Sequence, residues 1–370
     1  MDPLLDDDQK SYQHSLRKFF ESQWTEGHLR SDMDSAAPNR DVWRRLAAEL
    51  GAAGLNIPEE YGGSGDASFE SLLVAEEIGR ALYSGPYLGT VVLAANAIVL
   101  SGDGSIAAEL LPGIAAGEST ATLAVIDHGR DRSEAPAPEA ALTGEGWTLT
   151  GEARRVIDGV EADHLLVEAS TTTGRSLFLL EGPRVERTAV ESLDPTRRLA
   201  TIVLDGAPAR LIGGEGQAGK ILAALKPILS LSLAAEAVGG SERAVRDTVE
   251  YAKVRHQFGR PIGSFQAVKH RCAEMQVRLE GSRAGIRHAG TVLVDGGEDL
   301  DLLSSVVKVF ATRSYFRTAA EMIQLHGGIG FTWEHSAHLH FKRAKFLEIL
   351  GGTHTELRSS IADAVLAERV

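Results

Sequence analysis

The feature that most limits how this 370-residue chain can fold is a double change of periodicity. Up to about residue 118, apolar residues recur at helical spacing. From 120 to 212, short β-rich runs alternate with turn residues, and from 216 to the end the helical spacing returns. In the first segment Tyr12, Leu16, Phe19 and Phe20 form one stripe, and Trp43, Leu46, Ala47 and Leu50 a second that stops at Gly51. Pro58, Gly62 and Gly63 mark a loop over 54–65, and further helices are expected from Phe69, over 86–100 and over 106–114. The middle segment offers ATLAVID, WTLTGEARRVID, HLLVEAS, SLFLLEG, VERTAVES and TIVLDG as strands. The contiguous apolar residues of HLLVEAS and TIVLDG predict burial on both faces. Residues 128–143, with two prolines and several alanines, read as a loose surface loop. The last segment predicts helices over 217–254, with Pro227 as the place for a kink, and over 264–295, 300–325, 334–348 and 354–368. Long helices with short connections imply a bundle. The expected architecture is mainly α with a middle β domain, divided as 1–118, 119–215 and 216–370.

Composition narrows the class. Hydrophobic content of 43% and charged content of 24% are those of a globular protein, and a net charge of −13 argues against nucleic-acid or anionic-membrane partners. The single cysteine, Cys272, leaves no internal disulfide or multi-cysteine metal site and reads as a small core residue. The opening MDPLLDDDQK lacks a signal-peptide pattern, and no run of about 18 uncharged apolar residues occurs. No membrane span and a cytoplasmic location are therefore expected.

One stretch carries chemistry. In YAKVRHQFGRPIGSFQAVK, Tyr251 to Lys269, a helix ends near Val254 and a turn presents Arg255, Phe258, Gly259, Arg260 and Pro261. A new helix is expected to start near Ser264, with that serine as its N-cap. A cation and an aromatic ring on such a turn suit an anionic, ring-bearing ligand. A helical-hairpin turn with a solvated arginine is the plainer alternative.

Three stretches, in this order and spacing, resemble the acyl-CoA dehydrogenase family: IPEEYGGSG at 57–65, RHQFGRPIGSFQAVKHRCAEM at 255–275, and QLHGGIGFTWEH at 324–335 with FKRAK at 341–345. The resemblance implies an N-terminal helical domain, a small β-barrel-like domain and a C-terminal four-helix bundle. It further implies FAD as cofactor, an acyl-CoA thioester as substrate, an electron-transfer flavoprotein or similar acceptor, and assembly as dimers of dimers. In such assemblies FAD bridges two subunits. By the same resemblance Arg255 meets the pyrophosphate, Phe258 lies beside the adenine end, and Gln324, Gly327 and Gly328 meet the pyrophosphate and ribitol. Gln257, Gln266 and Thr353 are cofactor contacts with them. A planar fork of donors suits phosphate oxygens, and glycines let backbone amides approach an anion. Gly327 and Gly328 also read as a helix C-cap, and His326 as a packed or capping residue. His335, His338 and His340 lack a completing carboxylate, so no metal site is expected.

The sequence also departs from the family. The usual catalytic glutamate would fall on Gly351, in Ile349-Leu350-Gly351-Gly352-Thr353, and an alternative family position aligns with Leu229-Ser230. None of these is a base. The nearest carboxylate on the helix that holds Leu229-Ser230 is Glu236 in LAAEAVGG, whose apolar setting fits either a substitute base or a buried glutamate satisfied by another subunit. The flavin-holding loop of the β domain is replaced by AVIDHGRDRSEAPAP, and its later strand by Arg155-Val156-Ile157-Asp158-Gly159. The half-site offered to a neighbour is intact and the chain's own half is eroded. The resemblance thus favours a subunit that completes FAD sites on a related dehydrogenase partner, as in bacterial breakdown of steroid side chains. A homomeric dehydrogenase using Glu236 and a non-catalytic acyl-CoA-binding scaffold are the alternatives. The apolar stretch Leu229 to Gly240 is expected to line the acyl pocket.

Overall fold

The computed structural model describes residues 5–35, 39–65, 67–125, 138–180, 185–296 and 299–367. The chain forms two compact units, each built from separated segments: Met1–Leu29 with Leu72–Tyr83 and Ser230–Val370, and Arg30–Ser71 with Ser84–Leu229. Both units therefore draw on more than one of the segments 1–118, 119–215 and 216–370. Helices α1 (Asp7–Gln23), α2 (Glu26–Met33), α3 (Arg40–Leu50), α4 (Ser68–Ala81), α5 (Asn96–Ser101) and α6 (Gly104–Ala115) precede the sheet.

The second unit holds the β structure. Strands β1 (Ala121–Ala124), β2 (Glu139–Thr143), β3 (Gly146–Ile157), β4 (His164–Thr171), β5 (Gly174–Leu180), β6 (Glu186–Val190) and β7 (Leu199–Ile212) form one sheet. Pairings β4–β2, β2–β3, β3–β7, β7–β5 and β5–β4 close a ring, so the sheet is a barrel without open edges on those strands. Leu149, Val167, Phe178, Ile202 and Leu204 fill its core. Strand β4 is buried on both faces, as its contiguous apolar run implies. Strand β7 is not: Ile202 and Leu204 point inward while Val203 is 40% exposed. Residues 139–143, expected within a loop, form β2 and pair with β3 from Glu139↔Thr150 to Thr143↔Gly146. Alanine-rich composition hid this strand, whose residues are mostly exposed and so lack apolar alternation. The rest of the expected loop, 128–137, lies outside the described residues.

The helical part of this unit has clear local causes. The Asn39 side chain accepts from the amides of Asp41 and Val42 to start α3, and Gly51, in left-handed conformation, ends it. Residues Leu88–Ala95, expected as an ordinary helix, wind as a π-helix. The Asn96 side chain donates to the carbonyls of Val91 and Val92 at 3.0 and 3.1 Å, supplying partners where the wider winding disturbs the usual ladder.

The first unit is a bundle of α1, most of α4, and the helices α7 (Ala218–Val254, from Ser230), α8 (Gln266–Asp295), α9 (Leu300–His326), α10 (Ala337–Ile349) and α11 (His354–Ala367). Helix α7 runs through Pro227, and among the described residues it is the one helix long and apolar enough to cross a membrane. Its apolar window is 72% buried inside the protein, as in a core helix. Helices α4 and α7 cross in backbone contact. A Cβ at Gly79 would lie 1.9 Å from the Glu236 carbonyl oxygen, and one at Gly239 would lie 1.7 Å from that of Glu76. Gly240 packs on a side chain of α9, where a Cβ would meet the Tyr315 ring at 2.3 Å. The crossing is lined by charge. Glu76 pairs with Arg287 at 2.6 Å, and Glu77 pairs with Arg17 at 2.7 Å and Arg80 at 3.2 Å; the buried partners Glu76, Glu77, Arg80 and Arg287 are each under 5% exposed. Burial pushes the Glu77 carboxyl up to about 7, against the pull of Arg17 and Arg80.

Candidate functional site

The RHQFGRP segment folds as a small hairpin projecting from the end of α7. Strands β8 (His256–Gln257) and β9 (Arg260–Pro261) pair antiparallel, with Phe258 and Gly259 as the two-residue turn. Both have positive φ, +54° and +78°, the pattern of a type I′ hairpin turn. Glycine takes this conformation freely, but a phenylalanine there is held at a cost of about 1–2 kcal/mol. The ring is nevertheless 91% exposed, its packing within this chain being an edge-on approach to the Phe265 ring at 6.2 Å. Arg255, Gln257 and Gln266 are exposed beside it, and the Arg260 guanidinium stacks on Phe265 at 4.1 Å. Ser264 does not cap α8. It lies in a 3-10 turn with its hydroxyl donating to the Pro261 carbonyl, and Phe265 occupies the N-cap without a side-chain bond. The compact hairpin thus displaces the helix start by two residues.

The end of α7 from which this hairpin projects packs against the end of α9 that carries the second motif. The Tyr251 ring stacks on His326 at 4.4 Å and its hydroxyl donates to the His326 carbonyl at 3.3 Å. His326 is 3% exposed and its Nδ1 donates to the Met322 carbonyl at 2.7 Å. Burial pulls its imidazole below the usual range, with the Met322 bond opposing. It therefore packs as a neutral strut between the two motifs. Beyond it Gln324, Gly327 and Gly328 are exposed. Gly327, φ +64°, ends α9 by donating its amide to the Gln324 carbonyl. Nothing lies within 4 Å of where a Cβ would stand on Gly327 or Gly328. The C-cap and an open backbone cradle thus coexist. Between Glu250 and Glu274 the chain has five Lys or Arg residues and no carboxylate, against its overall charge of −13. Exposed cations, amide side chains, open glycine backbone and a bare aromatic ring fit the phosphate and ring parts of a dinucleotide such as FAD.

The remaining candidates lie elsewhere. Glu236 is 3% exposed on α7, and its carboxylate accepts from Arg343 Nη1 at 2.5 Å. Arg343, on α10, is fully buried and also donates to the Tyr83 carbonyl at 3.5 Å. The carboxylate is thus engaged within its own chain. Arg343 was visible in FKRAK, but nothing in the spacing linked it to Glu236. Gly351 and Gly352 form a turn with φ of +68° and +107°. Thr353 follows as the cap of α11, its amide and hydroxyl both donating to Glu356 Oε2 at 2.8 Å. His340 bonds the Tyr315 hydroxyl through Nδ1 at 2.8 Å, and burial pushes it down to about 3. His338 lies edge-on to Trp333, and His335 against His326. In the barrel, Arg155 and Asp158 both have positive φ, and Asp158 Oδ2 would lie 2.8 Å from a Cβ on Gly89. Residues 126–137, which include most of the replaced flavin loop, lie outside the described residues.

Residues 6–118 match the acyl-CoA dehydrogenase N-terminal domain and residues 230–366 its C-terminal domain. The chain is 35% identical to the acyl-CoA dehydrogenase IpdE2 of Mycobacterium tuberculosis over 311 residues, covering 83% of this chain and 80% of that protein. Among solved structures it is similar to the ChsE4–ChsE5 complex of the same organism, with 29% identity, a TM-score of 0.88 and 99% of each chain covered. It is also similar to the Tcur3481–Tcur3483 steroid ACAD, with 29% identity, a TM-score of 0.87, and 98% and 99% covered. The chain belongs to the acyl-CoA dehydrogenase family and is an oxidoreductase of that family.

Proposed function

We propose that this chain takes part in FAD-dependent α,β-dehydrogenation of an acyl-CoA thioester as the subunit that completes a flavin site on a related dehydrogenase partner. The observation that carries the reading is Phe258: a strained, 91% exposed aromatic residue at the tip of a basic hairpin, braced edge-on by Phe265 and otherwise open to solvent. Such a group is built to meet something outside the chain. When bound, FAD supplies the hydride acceptor for oxidation of the Cα–Cβ bond. The chain's own contribution is positional. Arg255, Gln257, Gln266 and Gln324 would donate to phosphate and ribityl oxygens, and Gly327 and Gly328 would admit the backbone amides. Thr353, whose two donors are taken by Glu356, would serve as an acceptor.

Similarity to the ChsE4–ChsE5 complex supports a heteromeric assembly, and similarity to a steroid ACAD supports a bulky polycyclic acyl group. The Glu236–Arg343 pair supports a structural role for Glu236, and with Gly351 it leaves the base to the partner. Electrons would pass to an electron-transfer flavoprotein or similar acceptor, in the cytoplasm. Co-expression with a dehydrogenase encoded nearby tests the reading. A flavin-containing complex with fewer FAD than chains is expected, and full FAD occupancy with acyl-CoA turnover in the isolated chain would refute it.

A further inference from the structure

The glycine turn at 351–352 is clamped from beneath by side chains that the proposed flavin contacts do not use. Lys308, on α9, is fully buried, and its Nζ donates to the Gly352 carbonyl at 2.6 Å. One helical turn on, the buried Thr312 hydroxyl lies 2.8 Å from Nε2 of His354, the first residue after Thr353. That hydroxyl is also placed to donate to the Lys308 carbonyl at 2.8 Å. On the other side His354 Nδ1 lies 3.1 Å from Glu348 Oε1, and Lys345 holds the second carboxylate oxygen at 2.6 Å. Residues at i and i+4 of α9 thus grip Gly352 and His354, on either side of Thr353, while α10 braces His354 laterally. A two-glycine turn has unusual conformational freedom, and an ammonium taken wholly out of water is costly unless its bonds are made.

We infer that Lys308 is a positioning residue, which fixes the Gly351–Thr353 turn through the Gly352 carbonyl and so sets where Thr353 stands toward the cofactor. Its cofactor part rests on the proposed reading of Thr353; its structural part does not. The isosteric variant Lys308→Met removes the ammonium, and Thr312→Val removes the second grip without changing shape.

Hydrogen exchange on the full chain reads the turn directly. In Lys308→Met, amides over 351–356 are expected to exchange at least about tenfold faster, with the middle of α9 unchanged. Thr312→Val should give a smaller effect at the same amides, and carries the test alone if Lys308→Met does not fold. Unchanged exchange at the turn, or equal acceleration along α9, α10 and α11, overturns the positioning role. Flavin retained by the complex co-purified with the partner dehydrogenase reads the second part. Lys308→Met and Thr353→Ala should each weaken FAD binding about tenfold, and the double variant no more than Thr353→Ala alone. Multiplying effects would overturn the link between the two residues. Unaltered FAD binding in Thr353→Ala would overturn the reading of Thr353, while the exchange result still decides the role of Lys308.

Discussion

The pair Glu236–Arg343 separates the two chemistries open to this chain, because a structural carboxylate and a catalytic base respond differently to the same substitutions. Arg343→Met keeps most of the side-chain volume but leaves the Glu236 carboxylate, 3% exposed, without its guanidinium. Breaking one side of a buried pair costs about 3–5 kcal/mol. At about 1.4 kcal/mol per factor of ten, the unfolding equilibrium of the bundle should shift by roughly two to three and a half orders of magnitude. Glu236→Gln keeps an acceptor for Arg343 and loses only the charge, so it should cost less, about 1–3 kcal/mol. The double variant Glu236→Gln/Arg343→Met has neither buried charge. It should recover part of the loss, with a coupling of about 1–3 kcal/mol. Urea unfolding followed by far-ultraviolet circular dichroism measures all three. Turnover with an acyl-CoA by the co-expressed complex is measured beside it. If Glu236→Gln left the unfolding midpoint unchanged, kept its flavin and abolished turnover, the structural argument would be wrong and Glu236 would be the base.

Other consequences follow from the same geometry. Gly239→Ala would drive a methyl group to 1.7 Å from the Glu76 carbonyl oxygen, where only backbone can give way. The cost should lie at the upper end of about 1–3 kcal/mol, read as a lowered urea midpoint, and a change below about 0.5 would refute the close crossing of α4 and α7. His340, pushed by burial from 6.5 to about 3, must stay neutral when folded but gains a proton when unfolded below pH 6.5. Stability is therefore lost as pH falls from 6.5 toward 3, by about 2 kcal/mol at pH 5. Comparing midpoints at pH 7 and pH 5, His340→Gln should lose that much less than the parent; equal losses would refute the assignment. Phe258→Gly relieves the left-handed strain, so the isolated chain should be as stable as the parent or slightly more so. The co-purified complex should nevertheless retain less flavin, and full retention would remove the hairpin tip from the cofactor site.

The sequence alone determined the order of helical and β segments, because periodicities of 3.6 and 2 are properties of neighbouring residues. It also marked RHQFGRP and QLHGG as sites of unusual backbone, since glycine and proline act on their own dihedral angles wherever the chain runs. Position 351 was legible as lacking a carboxylate for the plainest reason, that glycine has no side chain. Local signals failed where long-range packing decides. Strand β2 exists because β3 offers it a partner, not because alanines prefer strands. The π-helix depends on Asn96 capturing two carbonyls, and the displaced start of α8 depends on how the β8–β9 hairpin closes.

What only the tertiary structure decided is the partnering of buried charge. Glu236 and Arg343 are 107 positions apart, Glu76 and Arg287 211, and Lys308 meets a carbonyl 44 positions away. In the sequence each is an ionisable residue whose neighbours do not name its partner, equally consistent with catalysis or with packing. The difference lies in whether a second group stands within hydrogen-bond distance in a region without water. That depends on how helices cross, and here glycine-mediated contact between α4 and α7 sets the crossing. The hairpin carries the converse lesson. Its motif was plain in the sequence, but that the Phe258 ring stands 91% exposed at the hairpin tip required the folded coordinates.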